Sequence, residues 1–233
     1  MESTPAVRAE KAPNPRLKEL RFALKRLFRN PLTIIGSTII LFVAVIAIAA
    51  PWIAPPPDPS RPYNMPHVGR KMEPTPPSAK APLGTLPQQY DILYGVIWGT
   101  RSAFRIGLLV VLANVAIGVV MGALAGYFGG IVDEVIMRVT DIFFAIPWLV
   151  MAMALVVALG RGLNSIILVL VILGWPSYTR VIRSEILVIR NMDYIQAARA
   201  GGASNLQILF RHILPNSIYS VLIIATMRIG TTV

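Results

Sequence analysis

Apolar runs free of charged side chains set the organisation of this chain. The first extends from Asn30 to Pro57, with its apolar centre at Leu32–Ala54. Others cover Ile106–Val132, Ile142–Gly160 and Gly162–Thr179, and a fifth, Ser217–Val233, contains Arg228. At 1.5 Å of rise per residue, about 18–20 residues of helix cross roughly 30 Å of bilayer hydrocarbon. Four runs meet or approach that length, and the fifth, which contains one arginine, falls just short of it at the last residue of the sequence. The pattern predicts an all-α integral membrane protein, a polytopic bundle of five spans. Leu32–Ala54 is too long for the apolar core of a signal peptide and lies well inside the chain, so it reads as an uncleaved helix.

Charge orients the bundle. Arg8, Lys11, Arg16, Lys18, Arg21, Lys25, Arg26 and Arg29 precede the first run, which keeps the N-terminus cytoplasmic. Within this tail Lys18, Arg21, Lys25 and Arg29 recur at helical spacing, with Leu17, Leu20, Leu24 and Leu27 on another face. That spacing suits an amphipathic helix on the inner membrane surface, or a solvated helical extension. Counting crossings puts Pro55–Arg105 outside, Gly129–Asp141 inside, the Arg161 turn outside and Arg180–Pro215 inside. The last segment carries Arg180, Arg183, Arg190, Arg199 and Arg211 against Glu185 and Asp193, as the positive-inside rule requires. Ten of the nineteen prolines fall between Pro55 and Pro82, which favours extended geometry over helix there. A spacer, a flap over the external mouth and a disordered segment all fit that composition.

Composition narrows the chemistry. Apolar residues make up 55% of the chain and charged ones 14%, with mean hydropathy +0.64, which excludes both a soluble globular domain and a disordered chain. The net charge of +11 raises the question of nucleic acid, but the aromatics sit inside apolar runs rather than among the basic residues, so no nucleic-acid partner is expected. Without cysteine there is no disulfide, thiolate metal site or thiol nucleophile. His67 and His212 are far apart, no P-loop motif occurs, and no lysine follows Lys80. Neither intrinsic catalysis nor a bound metal is expected.

The informative stretch is 191–216. Asp193 stands three residues before Gln196, and Ser204 three before Gln207, two capping-box spacings in tandem. Gly201-Gly202 between them can supply a left-handed helix end, and Pro215 limits the second helix. The spacing predicts two short helices joined by a glycine corner. The first, Tyr194–Ala200, presents Ala197, Ala198 and Ala200. The second is expected to dock a face made of Leu206, Leu209, Phe210, Ile213 and Leu214 on the bundle. A knob for a cytoplasmic partner and an ordinary turn between spans both fit this pattern.

This segment resembles the EAA loop of permease subunits in binding-protein-dependent ABC importers. The family pattern is Glu-Ala-Ala, three residues, Gly, nine residues and Ile-x-Leu-Pro. Here Gln196-Ala197-Ala198, Gly202 and Leu214-Pro215 stand at those positions, while Gln196 replaces the glutamate and His212 the isoleucine. Leu83-Gly84-Thr85, Asp91, Gly99 and Arg101 are similar to the dipeptide, oligopeptide and nickel branch signature, and Gly129-Gly130, Asp133, Met137-Arg138, Asp141 and Pro147 to the next cytoplasmic turn. The resemblance implies a six-span permease that forms a translocation pathway for peptides or similar small solutes by alternating access. Val233 falls within the fifth span. The implied partners are two ABC ATPase subunits that bind the ATP and magnesium, a second homologous permease, an extracytoplasmic substrate-binding protein and the lipid of a prokaryotic inner membrane. The chain then divides into a cytoplasmic tail (1–30), a first span (31–54), a proline-rich extracytoplasmic segment (55–102) and a permease core (103–233). ATPase coupling is assigned to Asp193, Gln196, Ala197, Ala198, Gly202, Ala203 and Ser204, with Leu214 and Pro215 ending the loop.

Several residues sharpen the expectation. Gly118, Gly122 and Gly126 recur every fourth position, the spacing of close helix packing in membranes. Glu134, Arg138 and Asp141 are spaced to brace one helix surface. Trp175-Pro176 is expected to anchor and terminate the fourth span. Arg228 lies near mid-membrane and has either a solute carboxylate or a partner subunit to meet. An ion-gradient-driven transporter or channel is the competing function; it calls for paired intramembrane acids or discontinuous helices at the midplane, and the first four runs hold no acid. A membrane anchor without transport is the third.

Overall fold

A computed structural model describes residues 31–160 and 162–232. The basic tail with its expected amphipathic helix and Arg161 lie outside the described residues. The described residues form two compact units, one ending at residue 101 and the other beginning at residue 102.

In the first unit, the apolar run folds as helix α1, Pro31–Ile53, with only Ala47 and Ala50 buried. A helix apolar on all sides with so little protein contact suits lipid. Pro51 sits inside it, and its missing N–H leaves the Ala47 carbonyl without the usual helical donor. Arg101 Nη1 supplies one, 3.3 Å from Ala47 O and 3.2 Å from Ile48 O. Trp98 Nε1 donates to Ala54 O at 2.9 Å, just beyond the end of α1. Tyr94 Oη donates to Pro62 O at 2.6 Å. Ala50, Tyr94, Ile97 and Trp98 form the small core of this unit.

The proline-rich stretch is therefore tied down rather than a free polyproline spacer. Thr85 Oγ1 accepts from Thr75 N at 2.9 Å, the buried Gln89 amide donates to Glu73 O, and isolated bridges join His67 to Tyr90 and Thr85 to Asp91. Gly84 has φ +82°, and a Cβ there would lie 2.7 Å from Thr75 O. Asp91 Oδ1 accepts from Leu93 N at 2.9 Å and caps the next helix, α2, Ile92–Phe128. The signature residues Gly84, Thr85, Asp91 and Arg101 are thus structural. The helix begins at Ile92 rather than Ile106, because a cap and an aromatic seat outweigh the charge of Arg101 and Arg105.

In the second unit α2 is followed by α3 (Gly130–Ala145), α4 (Trp148–Leu159), α5 (Leu163–Ile189), α6 (Asp193–Ala200), α7 (Asn205–Ile208), a π-helical turn (Leu209–Ile213) and α8 (Leu214–Thr232). Among the described residues, four helical stretches are long and apolar enough to cross a membrane: 31–53, 92–128, 163–189 and 205–228. The expected straight third span, Ile142–Gly160, is instead broken at Ile146-Pro147, where α3 and α4 meet at 94°. A proline with extended backbone before it cannot continue the helix. If the bent pair counts as one crossing, there are five.

The fourth span also departs from expectation. Trp175-Pro176 does not end it, and α5 continues to Ile189 with Pro176 buried inside. Close packing explains the continuation. A Cβ at Gly122 would stand 2.7 Å from Ile182 Cβ and 2.7 Å from Thr179 O, and one at Gly126 2.9 Å from Ile186 Cβ. At Gly118 it would collide with Tyr178 Cβ. The glycine ladder of α2 thus receives Tyr178, Ile182 and Ile186, all buried, and this contact stabilises the part of α5 beyond the proline. Thr179 Oγ1 donates to Trp175 O at 3.1 Å, one turn back in the same helix.

Gly122→Leu overpacks this contact and is expected to destabilise the protein by about 1–3 kcal/mol or more. Gly36→Leu, where nothing lies within 4 Å of the added Cβ, is expected to shift it by no more than about 0.5 kcal/mol. Thermal unfolding of the purified variants in one detergent measures both.

Candidate functional site

The segment 191–216 is built on the end of α5. Helix α6 begins at Asp193, one residue earlier than expected, and its N-cap is Met192, whose carbonyl accepts from Ile195 N at 3.0 Å and Gln196 N at 3.2 Å. Asp193 therefore makes no cap. It is the first helical residue, where its carboxylate faces the positive end of the helix dipole. The glycine corner is a Schellman closure: Gly202 has φ +82°, Gly202 N donates to Arg199 O at 3.1 Å, and Ala203 N to Ala198 O at 3.1 Å. Ser204 caps α7, its Oγ accepting from Gln207 N at 3.3 Å.

The second helix deviates from its expected geometry. Pro215 does not limit it, because the π turn Leu209–Ile213 precedes Leu214, whose N–H reaches back to Leu209 O. This places Pro215 in the first turn of α8, where its ring is tolerated. Leu214 keeps helical angles despite the following proline. The extra residue of the turn also rotates the face. Ile208, Leu209 and Ile213 are buried and Leu214 partly so, while Leu206 and Phe210, expected to dock, are exposed at 61% and 65%.

Buried anchors hold the loop to the bundle. Ile195 of α6 and Ile208 of α7 enter the same core cluster as Ile182, Ile186 and Ile189. Tyr127 Oη donates to Asn205 Oδ1 at 2.9 Å. Asn216 Nδ2 donates to His212 O at 2.6 Å and Tyr194 Oη at 3.3 Å. With Ile195 inward, Gln196, Ala197 and Arg199 face outward and Ala198 is half-buried. Gly202, Ser204 and Pro215 are exposed, and Ala203 is partly buried against the core. The structure therefore gathers the sequence-predicted coupling residues into one protrusion: a short helix with a small-residue outer surface, ended by a closed glycine turn.

Charge pairs brace its base. Arg183 makes a bidentate pair with Asp133, its Nη2 lying 2.6 Å from Asp133 Oδ2. Arg180 Nη2 lies 2.6 Å from Asp141 Oδ1, with its guanidinium 4.0 Å from the centre of the Phe144 ring. Asp141 thus pairs with α5 and not with Arg138, which faces Glu134 at 3.8 Å on an exposed surface. Arg190 Nη1 donates to Gly126 O at 2.8 Å, closing the end of α2. In the sequence, Arg180, Arg183 and Arg190 stand out only as cytoplasmic positive charge. Their spacing against Asp133 and Asp141 becomes visible only once α5 is known to run past Pro176.

A second feature lies between the helices. Arg228 lines a cavity of about 370 Å³ with Asn114, Gly174 and Tyr178. Asn114 and Tyr178 were not singled out in the sequence, although a lone Asn inside an apolar run is a signal of a polar function at membrane depth. Among the described residues no group of three His, Asp or Glu is placed to hold a metal ion.

Comparison with known proteins places the chain among transport permeases. Residues 118–233 match the family described as binding-protein-dependent transport system inner membrane component. Residues 20–72 match the N-terminal TM domain of oligopeptide transport permease C. The chain is similar to the oligopeptide transport system permease protein OppC of Bacillus subtilis (strain 168), at 33% identity over 97% of this chain and 72% of that protein. It is 35% identical to the probable D,D-dipeptide transport system permease protein DdpC of Escherichia coli (strain K12), over 100% of this chain and 74% of that protein. The dipeptide transport system permease protein DppC of Bacillus subtilis (strain 168) is 29% identical, over 97% of this chain and 68% of that protein.

A double-mutant cycle with Asp133→Asn and Arg183→Gln is expected to give a coupling energy of about 1–3 kcal/mol in unfolding measurements. The exposed Glu134–Arg138 pair is expected to give only a few tenths of a kcal/mol in the same assay.

Proposed function

Because the chain belongs to the family of binding-protein-dependent transport system inner membrane components, the permease subunits of ABC importers, we propose that its 191–216 protrusion is the point at which an ATPase partner drives it. The observation that supports this reading most is the combination of outward Gln196, Ala197 and Arg199 with inward Ile195 and Ile208. One side offers a surface a partner can approach closely, and the other is fixed in the core of the bundle. A displacement of the protrusion therefore moves α5 and α2 with it rather than bending a loop.

In this reading two ATPases bind the nucleotide and magnesium, while this chain hydrolyses nothing. A second permease completes the pathway, and an extracytoplasmic binding protein delivers the solute. The protein lies in the inner membrane with its N-terminus and the protrusion cytoplasmic. Closure of the ATPases pushes the protrusions, and the paired bundles exchange outward- and inward-facing states. Net import then requires that the two states differ in affinity for the solute. Peptides are the proposed substrate class, as the relatives named for oligopeptide and dipeptide transport suggest. Gln196 in place of the family's glutamate removes one charge from the contact, while the small outer residues and the Schellman turn retain its shape.

Family membership sets aside an ion-gradient-driven transporter or channel as the alternative. Ala198→Trp and Gly202→Val in the assembled transporter are the tests. The first adds bulk to the proposed contact, and the second places a β-branched side chain at φ +82°. Each is expected to lower ATP-driven uptake into proteoliposomes by at least about tenfold, a loss of roughly 1.4 kcal/mol of coupling, with the permease still in the membrane. Unchanged uptake, or uptake that follows the proton gradient without ATP, would contradict the proposal.

A further inference from the structure

Helix α3 meets three different surroundings around its circumference. Ile136 and Thr140 are buried, and Asp133 and Asp141 pair with Arg183 and Arg180 of α5. On a second side Ile131, Val135 and Ile142 are 81%, 56% and 60% exposed. On a third stand the exposed Glu134 and Arg138. At about 100° of turn per residue the buried, apolar and charged positions fall in separate sectors of the helix.

The pairs with α5 also show how α3 runs. Asp133 and Asp141 are eight residues apart, about 12 Å of helix, while Arg183 and Arg180 are three apart, about 4.5 Å. α3 therefore crosses α5 steeply instead of running beside it. α4 leaves α3 at 94°, none of its residues is buried, and no charged residue occurs in 142–160. It is the part that enters hydrocarbon. Its 12 residues rise about 18 Å, short of the roughly 30 Å required. The extended step at Ile146-Pro147 adds about 7 Å. An amphipathic helix sunk about 5–10 Å into the headgroup boundary supplies the remainder. An upright α3 would instead carry Arg138 about 12 Å and Asp141 about 16 Å into the membrane from Gly130, where exposed charge is costly.

We propose that α3 is an interfacial helix lying in the plane of the leaflet from which the 191–216 protrusion projects. Ile131, Val135 and Ile142 insert among lipid acyl chains, and Glu134 and Arg138 stand at the headgroups. Lipid is the occupant because the apolar side continues into α4, which is exposed along its length and free of charge. Ion-paired to α5 on one side and seated in lipid on another, α3 ties α5 to the membrane surface. This inference goes beyond the import reading and stands without it.

The chain has no cysteine, so Ile131→Cys, Val135→Cys, Arg138→Cys, Ile142→Cys and Met153→Cys can each carry a nitroxide at one position. The full chain, assembled with cysteine-free partners, is placed in nanodiscs of phosphatidylcholine and phosphatidylglycerol. Power saturation with oxygen and with a water-soluble nickel chelate then gives the depth of each label. Labels at 131, 135 and 142 are expected together, about 5–10 Å below the headgroups and open to oxygen. The label at 138 is expected to be open to nickel, and that at 153, five residues into α4, to lie about 7 Å or more deeper than that at 142. A depth that grows by about 16 Å from 131 to 142 describes a crossing helix and overturns the proposal. Labels at 131, 135 and 142 shielded from both reagents mean that protein covers this side, and labels open to nickel mean water; either overturns it too. Should an apolar-side variant fail to assemble, Arg138→Cys, which removes only an exposed pair, decides alone. A surface position supports the interfacial helix, and a position about 12 Å into hydrocarbon contradicts it.

Discussion

The close approach of α2 and α5 is the constraint on which the second unit depends. Gly118, Gly122 and Gly126 leave no side chain on one stripe of α2, and Tyr178, Ile182 and Ile186 fill the space from α5. In lipid, the hydrophobic effect does not drive one helix against another, so shape and dispersion must hold the pair. Each glycine carries part of that contact. The same contact decides where α5 ends, since a helix already packed on both sides of Pro176 has no reason to stop there. Everything beyond Thr179, including the residues that pair with α3, follows from it.

The protrusion inherits its position from this pair. Ile189 at the end of α5, Ile195 in α6 and Ile208 in α7 belong to one core cluster, and Tyr127 near the end of α2 holds Asn205 directly. The Arg183–Asp133 pair and the Arg190 bond to Gly126 O fix α3 and the end of α2 around the same base. Ser220 Oγ donates to Glu185 at 2.7 Å and ties α8 to α5. A force on the outer surface of α6 thus has short, buried routes into three long helices. Such an arrangement suits a subunit moved by a partner.

What could be read from the sequence follows the locality of its causes. Apolar runs gave the helices because lipid imposes one rule on every backbone group. The Gly201-Gly202 corner and the Ser204 cap were legible because both are closed within six residues. The glycine ladder was legible as a spacing, although its partner residues were not. Features decided at longer range have no such local signal. Pro176 and Pro215 read as helix ends, and tertiary packing or a π turn carried the chain through both. Asp193 read as a cap, but Met192 holds that place. The docking face was rotated, leaving Leu206 and Phe210 exposed, because the π turn has no local signature. Arg101 resembled a family signature without a reason; its role is to replace the donor that Pro51 lacks, 50 residues away in sequence.

In the proposed function, the outer surface of α6 faces the cytoplasm against a nucleotide-hydrolysing subunit. The chain has no cysteine, so a single Ala197→Cys substitution reports on that surface without further change. In the assembled transporter, a short maleimide–diazirine linker attached to this cysteine should join it to the ATPase on illumination, with a yield that changes between nucleotide-free and ATP-bound states. A membrane-impermeant maleimide should leave the site unlabelled in intact cells and label it after the membrane is opened. Labelling of intact cells from outside, with no cross-link to an ATPase in either nucleotide state, would contradict the claim.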